Sequence, residues 1–140
     1  MTMRVSQRLD YALQVLTRLA GESPGSFVAA GELADQLQLP RRFVEQQVTA
    51  LSRANIVECR RGAAGGCALA RPARDISVAD VVLALHGEVL DVPHQPGTAT
   101  AEMWERAAAV LGEHLQSVPL SSLADRQAEL DAADRPMYYI

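Results

Sequence analysis

The sequence predicts a mainly α-helical protein that carries one small β-hairpin. Apolar residues recur at helical spacing along most of the chain, whereas strand-like patterns are confined to two short segments around the glycine-rich sequence RRGAAGG at 60–66. Another segment, 100–118, spaces its apolar residues like a helix that packs along a second helix. With 140 residues, the chain fits one domain or one domain with an arm.

Two helices are predicted before residue 40. The first covers 6–20, with Ser6 as a possible N-cap and Gly21 ending it. Its apolar residues recur at helical spacing, namely Leu9, Leu13, Leu16 and Ala20. A short second helix is predicted in GELADQLQL, at 31–39, although no Ser or Thr stands at its start to cap it.

A third helix is predicted from Pro40, at a first-turn position, to about Ala54. One face repeats apolar residues for the core, which are Val44, Val48 and Leu51. Another face carries hydrogen-bonding side chains, which are Arg42, Glu45, Gln46, Thr49 and Arg53. Arg and Gln can contact guanine and adenine edges in the major groove, and Thr can meet a thymine methyl. A solvated surface helix has the same spacing, so the neighbouring hairpin is needed to decide.

The hairpin consists of two predicted strands, Ile56–Glu58 and Cys67–Ala70, joined by the glycine-rich loop. It predicts a wing with Arg60 and Arg61 at its tip, where they could enter a minor groove or lie on phosphates. A phosphate-binding P-loop is the rival interpretation of these glycines. No Gly-Lys-Ser/Thr follows them, and the preceding apolar strand is too short.

Charge separates the two halves of the chain. Ten arginines and seven acids stand up to and including Asp75 (+3), and three arginines and ten acids follow (−7), which gives the net −4. The segment 41–74 alone has two acids, Glu45 and Glu58, and seven arginines, which are Arg41, Arg42, Arg53, Arg60, Arg61, Arg71 and Arg74. A local balance of +5 in an acidic chain favours a surface that binds a polyanion.

The C-terminal half predicts an association element. Ser77 and Asp80 form a capping box for a fourth helix that ends at Gly87, and a loop follows. The helix at 100–118 has a heptad seam of apolar residues, with Trp104, Ala108, Leu111 and Leu115 as the predicted dimer contacts. An ordinary core-facing helix is the alternative. After it, a short helix at Leu120 and Leu123, a polar stretch and the apolar end MYYI are expected.

This pattern divides the chain into a winged helix-turn-helix headpiece at 1–87, a loop at 88–99 and a dimerisation helix with a tail at 100–140. No apolar run approaches the roughly 20 residues of a membrane span, and the N-terminus lacks a signal-peptide core, so a cytoplasmic protein is expected. No catalytic motif is visible, and an enzyme is not expected. A winged-helix module that binds only protein remains the alternative, but it would not need the +5 face.

These motifs resemble the Rrf2 family, the winged-helix regulators of the IscR, NsrR and CymR type. The resemblance covers roughly the first 90 residues, in MRVSQRLDYAL, LADQLQLPRRFVEQQVTALSRANIV, RRGAAGGCALARP and ISVADVVLALHGE. It implies a homodimer that binds a pseudo-palindromic operator on double-stranded DNA, with the third helix in the major groove and the wing in the minor groove. The implied contact residues are Arg42, Phe43, Glu45, Gln46 and Arg61, and Arg41, Thr49, Arg53, Arg60 and Gly62 complete the predicted DNA-binding set.

The chain departs from the family at two places. The loop usually reads Arg-Gly-x-Gly-Gly-Gly-Tyr, and here it reads Arg61-Gly62-Ala63-Ala64-Gly65-Gly66-Cys67. Cluster-binding members carry three cysteines between the fourth helix and the long helix, and this chain has none there. His94 stands near the first of those positions, with His86, Glu88 and Asp91 nearby, but one imidazole without spaced partners predicts no metal site. No cofactor is expected, and a small-molecule effector stays unidentified.

The only two cysteines, Cys59 and Cys67, are equidistant from Ala63 in the predicted wing. In a symmetric hairpin they lie opposite one another, close enough for a disulfide. Two reduced, buried thiols are the ordinary expectation in a cytosol. Both possibilities stay open from the sequence.

Overall fold

A computed structural model describes residues 3–93 and 95–134. The elements in chain order are α1 (Gln7–Ala20), α2 (Ala30–Leu37), α3 (Arg41–Arg53), β1 (Val57–Arg60), β2 (Gly66–Leu69), a 3₁₀ turn (Ala73–Asp75), α4 (Val78–His86), α5 (Ala99–Gln116) and α6 (Leu120–Ala133). This confirms the mainly α-helical fold with one hairpin. None of the described helices is both long and apolar enough to span a membrane.

The first three helices begin and end close to the predicted residues. The Ser6 hydroxyl accepts a hydrogen bond from the Leu9 amide at 3.1 Å and caps α1, and Gly21 ends that helix. No side chain caps α2 at Ala29, as expected. Pro40 is the N-cap of α3 rather than a first-turn residue, because its ψ of 130° is extended.

The core lies where α1, α2 and α3 meet the hairpin and the start of α6. It is built from fully buried aliphatic side chains, which include Leu16, Leu33, Val44, Leu51, Ile56, Ile76 and Leu120. Leu120 lies far from the other members in sequence. The chain after α5 therefore returns to the headpiece and contributes to its core. The domain boundaries at residues 87 and 99 remain a prediction from the sequence.

β1 and β2 form a two-stranded antiparallel sheet in which Val57 pairs with Leu69, and Cys59 with Cys67. Each strand is shifted toward the loop relative to the prediction, so Arg60 and Gly66 belong to strands. On its other side β2 is bonded to Val28: the Cys67 amide donates to the Val28 carbonyl at 2.8 Å, and the Val28 amide donates back at 2.9 Å. This bridge anchors the wing to the segment before α2.

Gly66 makes that anchor possible. Its φ is +138°, and a Cβ at this position would lie 2.5 Å from the Val28 carbonyl carbon. Only a residue without a side chain lets the two backbones approach so closely.

The C-terminal helices partly match the prediction. The capping box at the start of α4 is present, with both bonds between Ser77 and Asp80 at 3.0 Å, and Gly87 ends the helix at a φ of 76°. The prediction of a short helix before a polar stretch is wrong, because α6 runs for 14 residues. Its polar residues support the helix through side-chain pairs one turn apart, such as Arg126 with Glu129 at 2.8 Å. The apolar end MYYI lies outside the described residues.

Candidate nucleic-acid interface

α2 and α3 form a helix-turn-helix. The connecting turn consists of Gln38, Leu39 and Pro40, and Gln38 adopts the left-handed conformation at a φ of 55°. The Leu39 amide donates to the Ala34 carbonyl at 3.0 Å and closes the turn. Val44, Val48 and Leu51 are buried as predicted, which leaves the opposite face of α3 toward solvent.

All seven α3 side chains in the predicted DNA-binding set are exposed, namely Arg41, Arg42, Phe43, Glu45, Gln46, Thr49 and Arg53. The Arg41 Nε donates to the Glu45 Oε1 at 3.0 Å, so these two residues are already paired. Phe43 packs against Tyr11 of α1, with ring centroids 6.1 Å apart. Within the described residues, Arg42 and Gln46 have no side-chain hydrogen bond or ion pair, which leaves their donors available to a ligand.

The two arginines of the wing also differ in whether their side chains are already paired. The Arg60 guanidinium lies 4.3 Å from the ring centroid of Phe27 and 3.6 Å from the Glu58 carboxylate. Arg61 is exposed in the turn and has no ion-pair partner among the described residues. Gly62 follows it at a φ of 100°, and the Gly65 amide donates to the Gly62 carbonyl at 3.0 Å. Of these two arginines, Arg61 is thus the one without a partner in the described part of the chain.

Two residues near this surface were not anticipated from the sequence. Arg8 of α1 borders the same cleft as Gln46, between α1, α3 and α4. Gln47 is buried beside it, although it stands in a polar-looking stretch of α3. Helical periodicity does mark Arg8 as solvent-facing, but it does not tell which helix its exposed side borders.

The wing cysteines are in direct contact. Their Sγ atoms lie 3.1 Å apart; Cys59 is exposed and Cys67 is buried. Burial raises the pKa of the Cys67 thiol from its ordinary value of 9.0 to about 12, and the hydrogen bond and charge of Cys59 add to the rise. Cys67 is therefore a protonated thiol at neutral pH.

We expect Cys67 to resist alkylation while Cys59 reacts. With a pKa of about 12, the thiolate fraction of Cys67 at pH 8 is on the order of 10⁻⁴, and the thiolate is the nucleophile. Iodoacetamide followed by mass spectrometry should give one adduct in the folded protein and two in denaturant, and none in folded Cys59→Ser. Two adducts formed at equal rates in the folded protein would contradict the burial of Cys67.

The same shift predicts a loss of stability in alkali. The folded protein keeps the Cys67 proton above pH 9, where the unfolded chain releases it, so the unfolded chain binds fewer protons. The free energy of unfolding should therefore fall as the pH rises from about 9 to 12. Cys67→Ala removes this group, and its pH dependence in urea unfolding should be shallower over that range.

A helix-turn-helix followed by a wing, with exposed arginines on both, defines a winged-helix DNA-binding protein. The comparison with protein families agrees. A family model described as "Rrf2: Iron-dependent Transcriptional regulator" matches residues 5–126. The chain belongs to the Rrf2 family of transcriptional regulators.

Named relatives point the same way. CymR of Bacillus subtilis, an HTH-type transcriptional regulator, is 31% identical over 127 residues, which cover 87% of this chain and 90% of CymR. The solved structure of that protein, described as the global cysteine regulator of B. subtilis, has a TM-score of 0.81 at 27% identity, and the match covers 89% of this chain and 98% of the CymR chain. The structure of IscR of T. potens has a TM-score of 0.77 at 31% identity, and the match covers 99% of this chain and 98% of the IscR chain. These relatives are regulators, which agrees with the expectation that the chain is not an enzyme.

The donor set of this chain does not fit a cysteine-held iron centre. A cluster takes three or four thiolate or imidazole ligands, and the sequence has two cysteines, which face each other in the wing. Within residues 3–93 and 95–134, no three His, Cys, Asp or Glu side chains are grouped as metal ligands. His94 lies outside the described residues.

Proposed function

We propose that the protein is a homodimeric, sequence-specific transcriptional repressor that binds a pseudo-palindromic operator. The observation that carries the proposal is that, among the residues the structure describes, Arg42 and Gln46 on α3 and Arg61 in the wing have no side-chain hydrogen bond or ion pair. One headpiece can then engage two grooves, with α3 reading bases in the major groove and the wing anchored at the minor groove. We expect the protein to act in the cytoplasm, where bacterial chromosomal DNA is accessible.

The proposed dimer rests on α5. This helix has 18 residues, and only Ala101 is buried within the chain. Of the predicted seam, Trp104, Ala108 and Leu115 are half-buried, and Leu111 is 37% exposed. Beside it the helix exposes further apolar side chains, namely Met103, Ala107 and Val110. We propose that these apolar residues pack against the same helix of a second copy of the chain. Dimers are usual for such headpieces because each subunit recognises one half-site.

Single substitutions should separate base reading from phosphate binding. Arg42→Ala and Gln46→Ala are each expected to cost about 1–3 kcal/mol of operator affinity per half-site and to relax the preference at one base position. Arg61→Ala is expected to weaken all sequences alike and to lower the salt dependence by about one ion per subunit. The measurement is a fluorescence-anisotropy titration on an operator selected from random DNA with the purified protein.

Arg126→Ala is the matched control, because it removes an exposed arginine of α6 outside 41–74 and should leave the affinity unchanged. If Arg42→Ala and Arg61→Ala both bind like the natural chain, the assigned interface is wrong. If no duplex is selected at all, the proposal of sequence-specific binding fails.

We also propose that DNA binding needs no iron–sulfur cluster. The support is the donor count, since the two thiols lie in the wing and the loop at 88–99 contains none. Protein prepared anaerobically with iron supplementation should be colourless and should bind the operator. A brown protein with near-stoichiometric iron and sulfide would overturn this proposal. Control would then come from a small molecule, a protein partner or the expression level.

A further inference from the structure

We propose that Cys59 and Cys67 form an oxidative modification site: a peroxide converts them to an intramolecular disulfide across the wing, and this changes the fit of the wing to DNA. The first half of the proposal concerns the thiols alone. The second half rests on the proposed function, because it needs an operator whose binding can be measured.

The register of the hairpin favours the bond. Both backbone groups of Cys67 bond to Val28, so they point away from β1. Cys59 and Cys67 are therefore a non-hydrogen-bonded pair, the kind in which opposite Cα atoms are only ~4.5 Å apart and the side chains are closest. Disulfides span Cα distances from about 4.4 to 6.8 Å, so this pair lies near the short end of the permitted range.

The sulfur atoms need to move little. They are 3.1 Å apart, and a disulfide is about 2.05 Å long, so closure requires an approach of about 1 Å. The side chains of Val57 and Leu69 share this face of the sheet, because side chains alternate along a strand. Val57 is buried and Cys59 exposed, so the pair lies where the core ends and solvent begins. A small closure at that border can be accommodated without opening the core.

The difference in exposure sets the order of the chemistry. Cys59 meets a dissolved peroxide first: its sulfur attacks the O–O bond and becomes a sulfenic acid, and the peroxide leaves as an alcohol or as water. The Cys67 sulfur then attacks the Cys59 sulfur and forms the S–S bond. The hydroxyl of the sulfenic acid leaves with the Cys67 proton as water. Two thiols and one peroxide are consumed, and reduction by an excess of dithiol reverses the change.

The site adjoins the predicted DNA contacts. β1 runs from Cys59 to Arg60, its last residue, and Arg61 follows in the turn; the Arg60 guanidinium is held between Phe27 and Glu58. Drawing Cys59 toward β2 shifts the strand that carries Arg60 and leads into Arg61, and it removes freedom from the hairpin. A wing fixed in a new position should bind its groove with a different affinity.

The chemical test uses the full chain with hydrogen peroxide. Intact mass should fall by about 2 Da, since two hydrogens are lost, and free thiols should drop from two to zero. A reducing agent should restore both values. Cys59→Ser, at an exposed position, should show neither change, and Cys67→Ala should instead accumulate a sulfenic acid that a dimedone probe traps. A natural chain that keeps two thiols, or that forms only intermolecular disulfides, overturns the site.

The binding test compares reduced and oxidised protein on the selected operator. We expect the affinity to change at least threefold on oxidation, to return on reduction, and to stay constant in Cys59→Ser under both conditions. Unchanged affinity in a fully oxidised natural chain would overturn the effect on the wing. If the reduced protein bound no operator, the proposed function would fail while the thiol result would still stand.

Discussion

Replacing Gly66 by alanine is expected to lower the free energy of unfolding by about 3 kcal/mol or more, since strain and lost contacts combine. The new methyl would meet three Val28 and Ala29 backbone atoms at 2.5 to 2.8 Å. Backbone atoms cannot rotate away, so β2 must move and both hydrogen bonds between Val28 and Cys67 should lengthen or break. Alanine at a φ of +138° is also strained in itself. The measurement is urea unfolding followed by circular dichroism.

Gly62→Ala provides the matched control. Gly62 lies in the same hairpin at a positive φ of 100°, but a Cβ there would meet nothing within 4 Å. It should cost only the strain of the conformation, about 1–2 kcal/mol. The variants must be compared at one protein concentration, because a dimer makes stability depend on it. Equal losses for both glycines would show that the contact with Val28 is not what Gly66 permits.

Introducing a charge at Leu111 is expected to abolish the dimer. Leu111→Asp would bury a carboxylate between two copies of α5, and burying an unpaired charge costs several kcal/mol. Light scattering should give the monomer mass at micromolar concentration. Operator affinity should fall by about 100-fold or more, because two half-sites no longer contribute to one binding event.

Leu130→Asp is the control for this substitution. Leu130 is exposed to a similar extent, 42% against 37% for Leu111, but it belongs to α6. It should leave the mass and the affinity unchanged. A natural chain that is monomeric at micromolar concentration would refute the dimer, and dissociation by both variants would mean that α5 has no special part in it.

Most of the fold could be predicted from patterns among residues that are close together in the sequence. The capping box needed only Ser77 and Asp80 at the right spacing, and both bonds are present. The facing cysteines followed from the symmetry of the loop about Ala63, and the register pairs them. The buried stripe of α3 followed from helical periodicity. Such features depend on residues within a few positions of each other, which is why one sequence suffices to infer them.

Features that depend on distant residues were not predictable in the same way. Nothing in the pattern around Val28 indicates that its backbone pairs with Cys67, since the bridge involves only main-chain groups. The sequence also could not tell that Arg60 is held by Phe27 and Glu58, whereas Arg61 has no ion-pair partner within residues 3–93 and 95–134. The sequence underestimates the length of α6 because the residues after Leu123 are mostly polar, although no Gly or Pro interrupts 120–134.

Ser77 and Pro119 form an isolated antiparallel backbone bridge. The hydrogen bonds beside it affect which spacings between operator half-sites the protein can bind. The Val78 amide donates to the Val118 carbonyl and the Leu120 amide to the Ile76 carbonyl, both at 2.8 Å, so the short connection between α5 and α6 is bonded directly to the start of α4. In the proposed dimer, each headpiece is then clamped to the twofold axis without a flexible tether. Inserting one base pair between half-sites turns one of them by about a tenth of a helical turn, and a clamped pair cannot follow that rotation. Operator binding should thus depend on the rotational spacing between the half-sites as strongly as on their sequence.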